Sequence, residues 1–354
     1  MTMFNLLIVV IIVMIISIVS LLLFVLINHY LLWVKEHAYQ KKSNAWETVL
    51  YSYLADEISV SEAAKKMKGD YFDLWSFLKP YLDNLMGQDR EKLVYLIKET
   101  GMTDYFLNKA KKANRKKRLI SITILGKLGD KRALPILKKM LKSPKTMEMV
   151  IAAKAIADTK EVNLVLPVFR RMLINTNTTF EGITEIAVRF GKDVCTPINN
   201  IIQEWLEGQR NLEEDFGVSI DQSVSLMVDI LGYYRFTKAA PQLGKILTNV
   251  DDNEVIIHVL KALSRIEYPT TVSLTPFIYH ENWIIRSQVA KYIGKVKEDT
   301  YRDDMKNILN DDNWWVRFYA AKALYDLGYI SYLNSISNSK DHRGEISRYI
   351  LSKV

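Results

Sequence analysis

Residues 313–328 read NWWVRFYAAKALYDLG, and the stretch that begins 31 residues earlier, at Asn282, reads NWIIRSQVAKYIGKV. Both open with Asn-Trp, place an Arg three residues after that Trp, and continue with small and apolar residues at helical spacing. Working outward, related segments occupy 122–141, 152–173, 185–202, 228–247, 260–278, 290–309 and 320–336. Aligning the central apolar position of each gives Leu125, Ile156, Ala187, Leu231, Leu263, Ile293 and Leu324, at intervals of 31, 31, 44, 32, 30 and 31 residues. The long interval contains EWLEGQRNLEEDFGVS, a local insertion. Each unit reads as a helix, a short turn and a second helix. One such pair cannot bury its apolar face alone, so neighbouring pairs must stack into a continuous core. Pro135, Pro167, Pro197, Pro241 and Pro276 recur near one helix start, where the missing N–H costs nothing.

The chain has 354 residues and a formal charge of +8, from 48 basic and 40 acidic side chains. All of these charges lie after residue 34. From Phe4 to Ile27 only Asn5, Ser17 and Ser20 interrupt an apolar run. At about 1.5 Å per residue this run is long enough to cross a bilayer. A cleaved signal peptide is disfavoured, because MTMFN carries no basic side chain and the run ends in NHYLLWV rather than a small-residue cleavage site. Lys35, Lys41 and Lys42 follow the run, with Glu36 among them, and the positive-inside rule then places the N-terminus outside and the C-terminal body in the cytoplasm of a single-pass cell-membrane protein. Tyr30 and Trp33 sit where an interfacial aromatic belt would lie.

The expected organisation is a transmembrane anchor at 1–34, a helical linker or adaptor at 35–113, and a repeat array with a terminal cap at 114–354. The linker contains AWETVLYSYLADE, SVSEAAKKMKG with Ser59 or Ser61 as cap, DYFDLWSFLKPYLDNLMG, which Pro80 is expected to kink or divide, and REKLVYLIKETG. Trp46, Tyr51, Tyr53, Trp75, Phe77 and Tyr81 suit either a core or an aromatic binding face.

The repeats resemble the HEAT-like family, particularly the short variety of bacterial HEAT-repeat proteins and phycobilisome lyase-like families. The match is carried by NWWVRFYAAKALYDLG, by NWIIRSQVAKYIGKV, and by RLISITILGKLGDKRALPIL from Arg118. Arg118, Arg286 and Arg317 match the family's Arg near a helix start, and Asp130 matches its acidic turn residue. The resemblance covers roughly 114–354. It implies an all-α fold, a right-handed alpha-alpha solenoid behind the N-terminal helix, and a generic binding scaffold. It carries over no activity, since no catalytic residue can be mapped. The three arginines suit pairing with acids near turns or capping of helix ends, with partner recognition the alternative.

Two groups of cations stand out. Lys109, Lys111, Lys112, Arg115, Lys116, Lys117 and Arg118 form a dense run that suits anionic lipid, an acidic protein, or simply a solvated helix start. Two residues before each aligned core position lie Thr123, Lys154, Glu185, Asp229, Lys261, Lys291 and Lys322. In HEAT-like proteins the second helix of a unit usually forms the inner surface, so this column is either a basic strip for an acidic segment or a solubilising face. Adjacent Trp314 and Trp315 cannot easily share one core, which makes Trp314, with Phe318, a candidate partner anchor.

Catalytic signatures are missing: no GxGxxG, Walker A, HExxH or GxSxG occurs. His29, His37, His258, His280 and His342 form no metal-spaced pair, and the lone Cys195 reads as a buried small hydrophobe. Asp251–Asp252 and Asp311–Asp312 suit helix caps. The expected function is therefore non-catalytic and cofactor-free. It is a membrane-anchored cytoplasmic scaffold or regulatory subunit for a protein partner, with a membrane enzyme of envelope-polymer synthesis or export as a class suggested by topology. The alternatives are a lyase-like enzyme accessory and a module for anionic lipid or nucleic acid; no nucleic-acid motif accompanies the basic run.

Overall fold

The computed structural model describes residues 3–175 and 177–353, with side chains given from Ile11 onward except that of Phe180. The segment expected ahead of the first helix, Met1 and Thr2, and the last residue, Val354, lie outside them. Every regular element among the described residues is a helix. The chain divides into two compact units, Met1–Asn114 and Arg115–Val354.

The first unit begins with α1 (Met3–Leu54), a single helix of 52 residues. Its side chains from Ile11 to Val34 are all exposed, so the apolar run covers no part of the protein's own core. By length and composition it can span a membrane. The helix does not stop where the apolar run stops: AWETVLYSYL forms its distal end, where Trp46, Leu50 and Tyr53 are buried. Against that end fold α2 (Val60–Lys66), α3 (Tyr71–Asn84) and α4 (Gly87–Glu99), and α5 (Met102–Lys112) packs on α4. Ser59 caps α2 and Asp70 caps α3, each accepting backbone N–H groups that the first turn leaves unpaired. The expected break at Pro80 does not occur, and α3 runs through it. Trp75 and Phe77 are buried, Phe77 with its ring 5.7 Å from that of Trp46, so most of the linker aromatics serve the core. Tyr51 is exposed, and both it and Tyr81 donate to Glu47, at 3.1 and 3.2 Å.

The second unit is a stack of helix pairs. They are α6 (Arg115–Lys127) with α7 (Leu134–Leu141), α8 (Thr146–Asp158) with α9 (Val165–Ile174), and α10 (Phe180–Phe190) with α11 (Cys195–Leu206). The insertion forms α12 (Leu212–Phe216), whose Leu212 and Phe216 are buried against α9 and α13. Then come α13 (Ile220–Tyr233) with α14 (Ala240–Asn249), α15 (Asn253–Ile266) with α16 (Thr275–Ile278), α17 (Trp283–Val296) with α18 (Arg302–Asn307), and α19 (Trp314–Asp326) with α20 (Ile330–Ile336). The last helix, α21 (His342–Lys353), packs on α19 and α20. The helices α6, α8, α10, α13, α15, α17 and α19 pack each against the next, forming one layer.

All seven aligned core residues, from Leu125 to Leu324, have 0% exposure. The rest of the register is equally regular. Four residues after each of them the backbone turns left-handed, at Gly129, Lys160, Gly191, Arg235, Glu267, Lys297 and Gly328. That residue ends the first helix of the pair, and in five units a short 3-10 turn leads directly into the second helix. Asp252, Asn282 and Asn313 cap α15, α17 and α19 at one equivalent position. Close approach is built in as well. A Cβ on Gly126, Gly232 or Gly294 would lie 2.6, 2.8 or 2.9 Å from the Cα of Ala155, Ala262 or Ala323 on the next helix of the layer.

Two of the three family-pattern arginines, Arg286 and Arg317, hold the turns together. Arg286 grips Asp311 with two bonds of 2.7 and 3.0 Å and donates to the carbonyls of His280 and Glu281. Arg317 is buried and donates to the carbonyls of Asp311 and Asp312 at 2.6 and 2.9 Å. These groups consume side chains that would otherwise be candidates for partner recognition. Asp252 is a helix cap, as its position suggests, whereas Asp311 works as the Arg286 counter-ion and Asn313 does the capping.

Candidate functional site

The lysine column lies on the first helices of the pairs, not the second. Each column residue has a companion four positions later on the same helix face, two beyond the core residue. In α8 and α10 the resulting square is neutralised. Lys154 meets Glu185 at 2.9 Å, Arg189 meets Asp158 at 3.1 Å, and Arg189 also bonds Glu185 at 3.1 Å. These contacts tie neighbouring repeats together, and the cations hold the Glu185 carboxyl below the usual carboxylate range.

In α15 and α17 the same four positions are Lys261, Arg265, Lys291 and Lys295, all positive. Their acidic neighbours are peripheral and loosely placed. Asp229 lies 3.9 Å from Arg265 and Glu267 lies 3.8 Å from Lys295. Asp229 is shared with His258, whose Nδ1 is 3.0 Å away. Burial, then the charges of Arg265, Lys295 and Lys261, hold the Lys291 ammonium below the ordinary lysine range. Lys322, on α19, is half satisfied by Asp326 at 3.1 Å. The column is thus not a uniform strip: its unneutralised part is the α15–α17 patch.

Aromatic side chains adjoin this patch. The Lys291 ammonium lies 5.4 Å from the ring centroid of Tyr319. Tyr319 continues into Trp315, Phe318, Trp314 and Tyr349 through successive ring contacts of 4.9–6.3 Å. Trp314 stacks on Phe318 at 5.2 Å and touches Tyr349, so both proposed anchors are half-buried within the cluster. Trp315 is the exposed member of the pair, at 49%. Sequence reasoning missed Arg265 and Lys295, and it decided neither which of Trp314 and Trp315 is exposed nor that Tyr319 reaches Lys291. An i,i+4 comparison along the column finds the first two; the aromatic pair required knowing which face of α19 meets α17.

The basic run is divided between the two units. Lys109, Lys111 and Lys112 lie in the last turn of α5, where the helix dipole favours cations. Lys109 also sits 5.2 Å from the Tyr105 ring centroid. Arg115, Lys116, Lys117 and Arg118 open α6, the end where the dipole disfavours them. Arg115 is held by Glu148 at 2.7 Å, Lys116 and Lys117 are exposed, and the Arg118 Nε is buried without a hydrogen-bond partner among the described residues.

Cys195 is buried at the start of α11, and burial pushes its thiol up to about 11, so it is not a poised nucleophile. Among the described residues no three His, Cys, Asp or Glu side chains are grouped to hold a metal.

A sequence model described as HEAT repeats matches residues 271–342, and one described as PBS lyase HEAT-like repeat matches 117–143. No curated protein matches the chain significantly. A solved crystal structure described as an engineered protein is similar at 15% identity, covering 82% of this chain and 80% of that one, with a TM-score of 0.27, a likeness that carries no argument. The stacked pairs make the array at 115–354 an alpha-solenoid, and within it residues 117–143 and 271–342 are similar to HEAT-type repeats.

Proposed function

We propose that this chain is a non-catalytic scaffold or regulatory subunit that holds a protein partner at a membrane. The observation supporting this reading is an apolar helical run, exposed from Ile11 to Val34, in the same chain as a repeat array that leaves charges and aromatics unused in packing. The anchor confines the array to two dimensions and raises its effective concentration near a membrane-associated partner. The flanking Lys35, Lys41 and Lys42 favour a cytoplasmic array. An enzyme of envelope-polymer synthesis or export is a partner class that topology alone suggests. The test is crosslinking in membranes, with the full chain compared against an anchor-only control. Specific enrichment of a protein supports the scaffold; no enrichment over the control sinks it. Resistance to alkaline carbonate extraction, with release from the membrane fraction when residues 1–34 are removed, separately checks the anchor.

A second reading, contact with anionic lipid, is favoured by the exposed Lys116 and Lys117 at the unfavourable end of α6. Neutralising Lys109 to Arg118 should then abolish binding to acidic liposomes. Binding that survives those changes overturns it.

A further inference from the structure

Like charges on adjacent helices are costly to hold together, and this fold shows that it can avoid them. In α8 and α10 the four column positions carry two cations and two anions, locked by Lys154–Glu185 and Arg189–Asp158. In α15 and α17 the same positions carry four cations, whose ties to the stack are the long contacts Arg265–Asp229 at 3.9 Å and Lys295–Glu267 at 3.8 Å. The packing of these two helices is supplied elsewhere, by Leu260, Leu263, Val289 and Ile293, all with 0% exposure. Beside the cations the structure leaves an exposed Trp315 and the Tyr319 ring already engaged with Lys291.

We propose that Lys261, Arg265, Lys291 and Lys295, together with Trp315 and Tyr319, bind an acidic segment of a partner protein that carries aromatic or apolar side chains among its carboxylates. This rests on the scaffold reading and names the chemistry of the partner. The dimensions favour a peptide. Positions four apart on a helix are separated by about 6 Å along its axis, and packed helices lie about 8–10 Å apart. The patch is therefore about the size of two or three neighbouring carboxylates, smaller than an extended membrane contact. Lysines suit this use, since each is a point charge on a flexible stem and accepts carboxylates without fixed fork geometry. Bound carboxylates would relieve the mutual repulsion of the four cations, and the aromatic side chains supply apolar contact that a purely ionic surface lacks.

The experiment uses the full chain in nanodiscs of neutral phosphatidylcholine and three labelled probes: a short peptide alternating Glu and Phe, the same peptide with Lys in place of Glu, and one of Glu alone. The Glu–Phe peptide binds, and the Lys–Phe peptide does not. Lys261→Ala with Lys291→Ala weakens Glu–Phe binding by about tenfold or more. Arg265→Ala with Lys295→Ala does the same, which guards against a folding defect in either pair. Lys154→Ala, in the neutralised square, leaves binding unchanged. Trp315→Ala weakens the Glu–Phe probe and not the Glu-only probe. Absence of Glu–Phe binding overturns the proposal, as does full binding by both double variants. Equal loss of binding to anionic vesicles or an oligonucleotide in the same variants also overturns it, because the patch would then read negative charge without regard to a peptide. The two readings fail separately. A partner crosslinked equally well by both double variants leaves the scaffold standing and removes this site, whereas a failure of partner capture removes the scaffold whatever the peptides do.

Discussion

Replacing Gly126 by Ala in α6 sets two effects of known size against each other. Alanine is the better helix former, by about 1 kcal/mol. The added Cβ, however, would lie 2.6 Å from the Cα and 2.7 Å from the Cβ of Ala155 in α8. Carbon atoms pack at about 3.5–4.0 Å, so the overlap is roughly 1 Å. Both obstructing atoms are fixed to a helix backbone, and no rotamer change relieves them. Overpacking of this kind costs about 1–3 kcal/mol, and a backbone obstruction belongs at the upper end. The net effect is a destabilisation of about 2 kcal/mol. Gly182→Ala is the matched control, since its Cβ meets only the Thr179 hydroxyl at 3.4 Å. It should gain up to about 1 kcal/mol. Hydrogen–deuterium exchange reads local opening directly. Peptides from α6 and α8 should exchange about thirtyfold faster in Gly126→Ala, with α17 and α19 unchanged. Peptides from α10 should exchange more slowly in Gly182→Ala. If Gly126→Ala instead slows exchange in α6, the α6–α8 separation is not set by the missing Cβ, and the close-approach argument for Gly232 and Gly294 falls with it.

The left-handed turn position gives a prediction of the opposite sign: Lys297→Gly should raise thermal stability by up to about 1 kcal/mol by relieving αL strain, while Gly328→Ala lowers it by a similar amount, both readable as shifts in the melting curve. Asp311→Ala leaves the Arg286 guanidinium largely buried without its bidentate partner and should cost about 3 kcal/mol, measured by urea unfolding; a loss under about 0.5 kcal/mol would mean that the pair behaves as an exposed one. Arg115 and Ser143, by hydrogen bonding, hold the Glu148 carboxyl below the usual range, so its contribution is present above the unfolded-state pKa and is lost as pH falls through the folded value. The stability gap between the parent and Glu148→Gln should therefore close on acidification, and a gap independent of pH would contradict the assignment. Cys195, with its thiol raised from 9.0 to about 11, should resist iodoacetamide until the protein is unfolded. Its neutral form contributes stability below about pH 9, and that contribution should erode as pH rises towards 11, because the unfolded chain loses the proton first.

How far the sequence reached differs between elements. The period of about 31 residues was readable because each repeat must bury the same position, and a buried position tolerates few residue types; Leu125 and Leu324 stand out for that reason. The apolar run of α1 was readable from composition, yet its continuation to Leu54 was not, because the amphipathic stretch after residue 34 looks like a separate helix until Trp46 and Leu50 are seen packed. Pro80 does not divide α3, since the surrounding helix holds together despite the bond that proline cannot donate. The turn register was only partly visible. Gly129 and Gly328 hint at a left-handed residue, but Lys160, Arg235, Glu267 and Lys297 occupy the same conformation with no such signal.

The candidate site divides in the same way. Lys261, Lys291 and Lys322 share a column in the sequence, and helical periodicity alone places them on one face. Whether a charge there is free or spent depends on what the next helix presents, and that is a matter of packing: Lys154 is neutralised by Glu185 from the next repeat, and Lys322 by its own Asp326, while Lys261 and Lys291 face further cations. Trp314 and Trp315 are interchangeable as letters, and packing against Phe318 and Tyr349 half-buries the first while the second stays exposed. The sequence by itself determined the helices, their period and the apolar run of α1, because those follow from local spacing and hydrophobicity. The tertiary structure alone decided which charges and rings remain available, because availability is set by neighbours some 30 residues away in the chain that only stacking brings within a few ångströms.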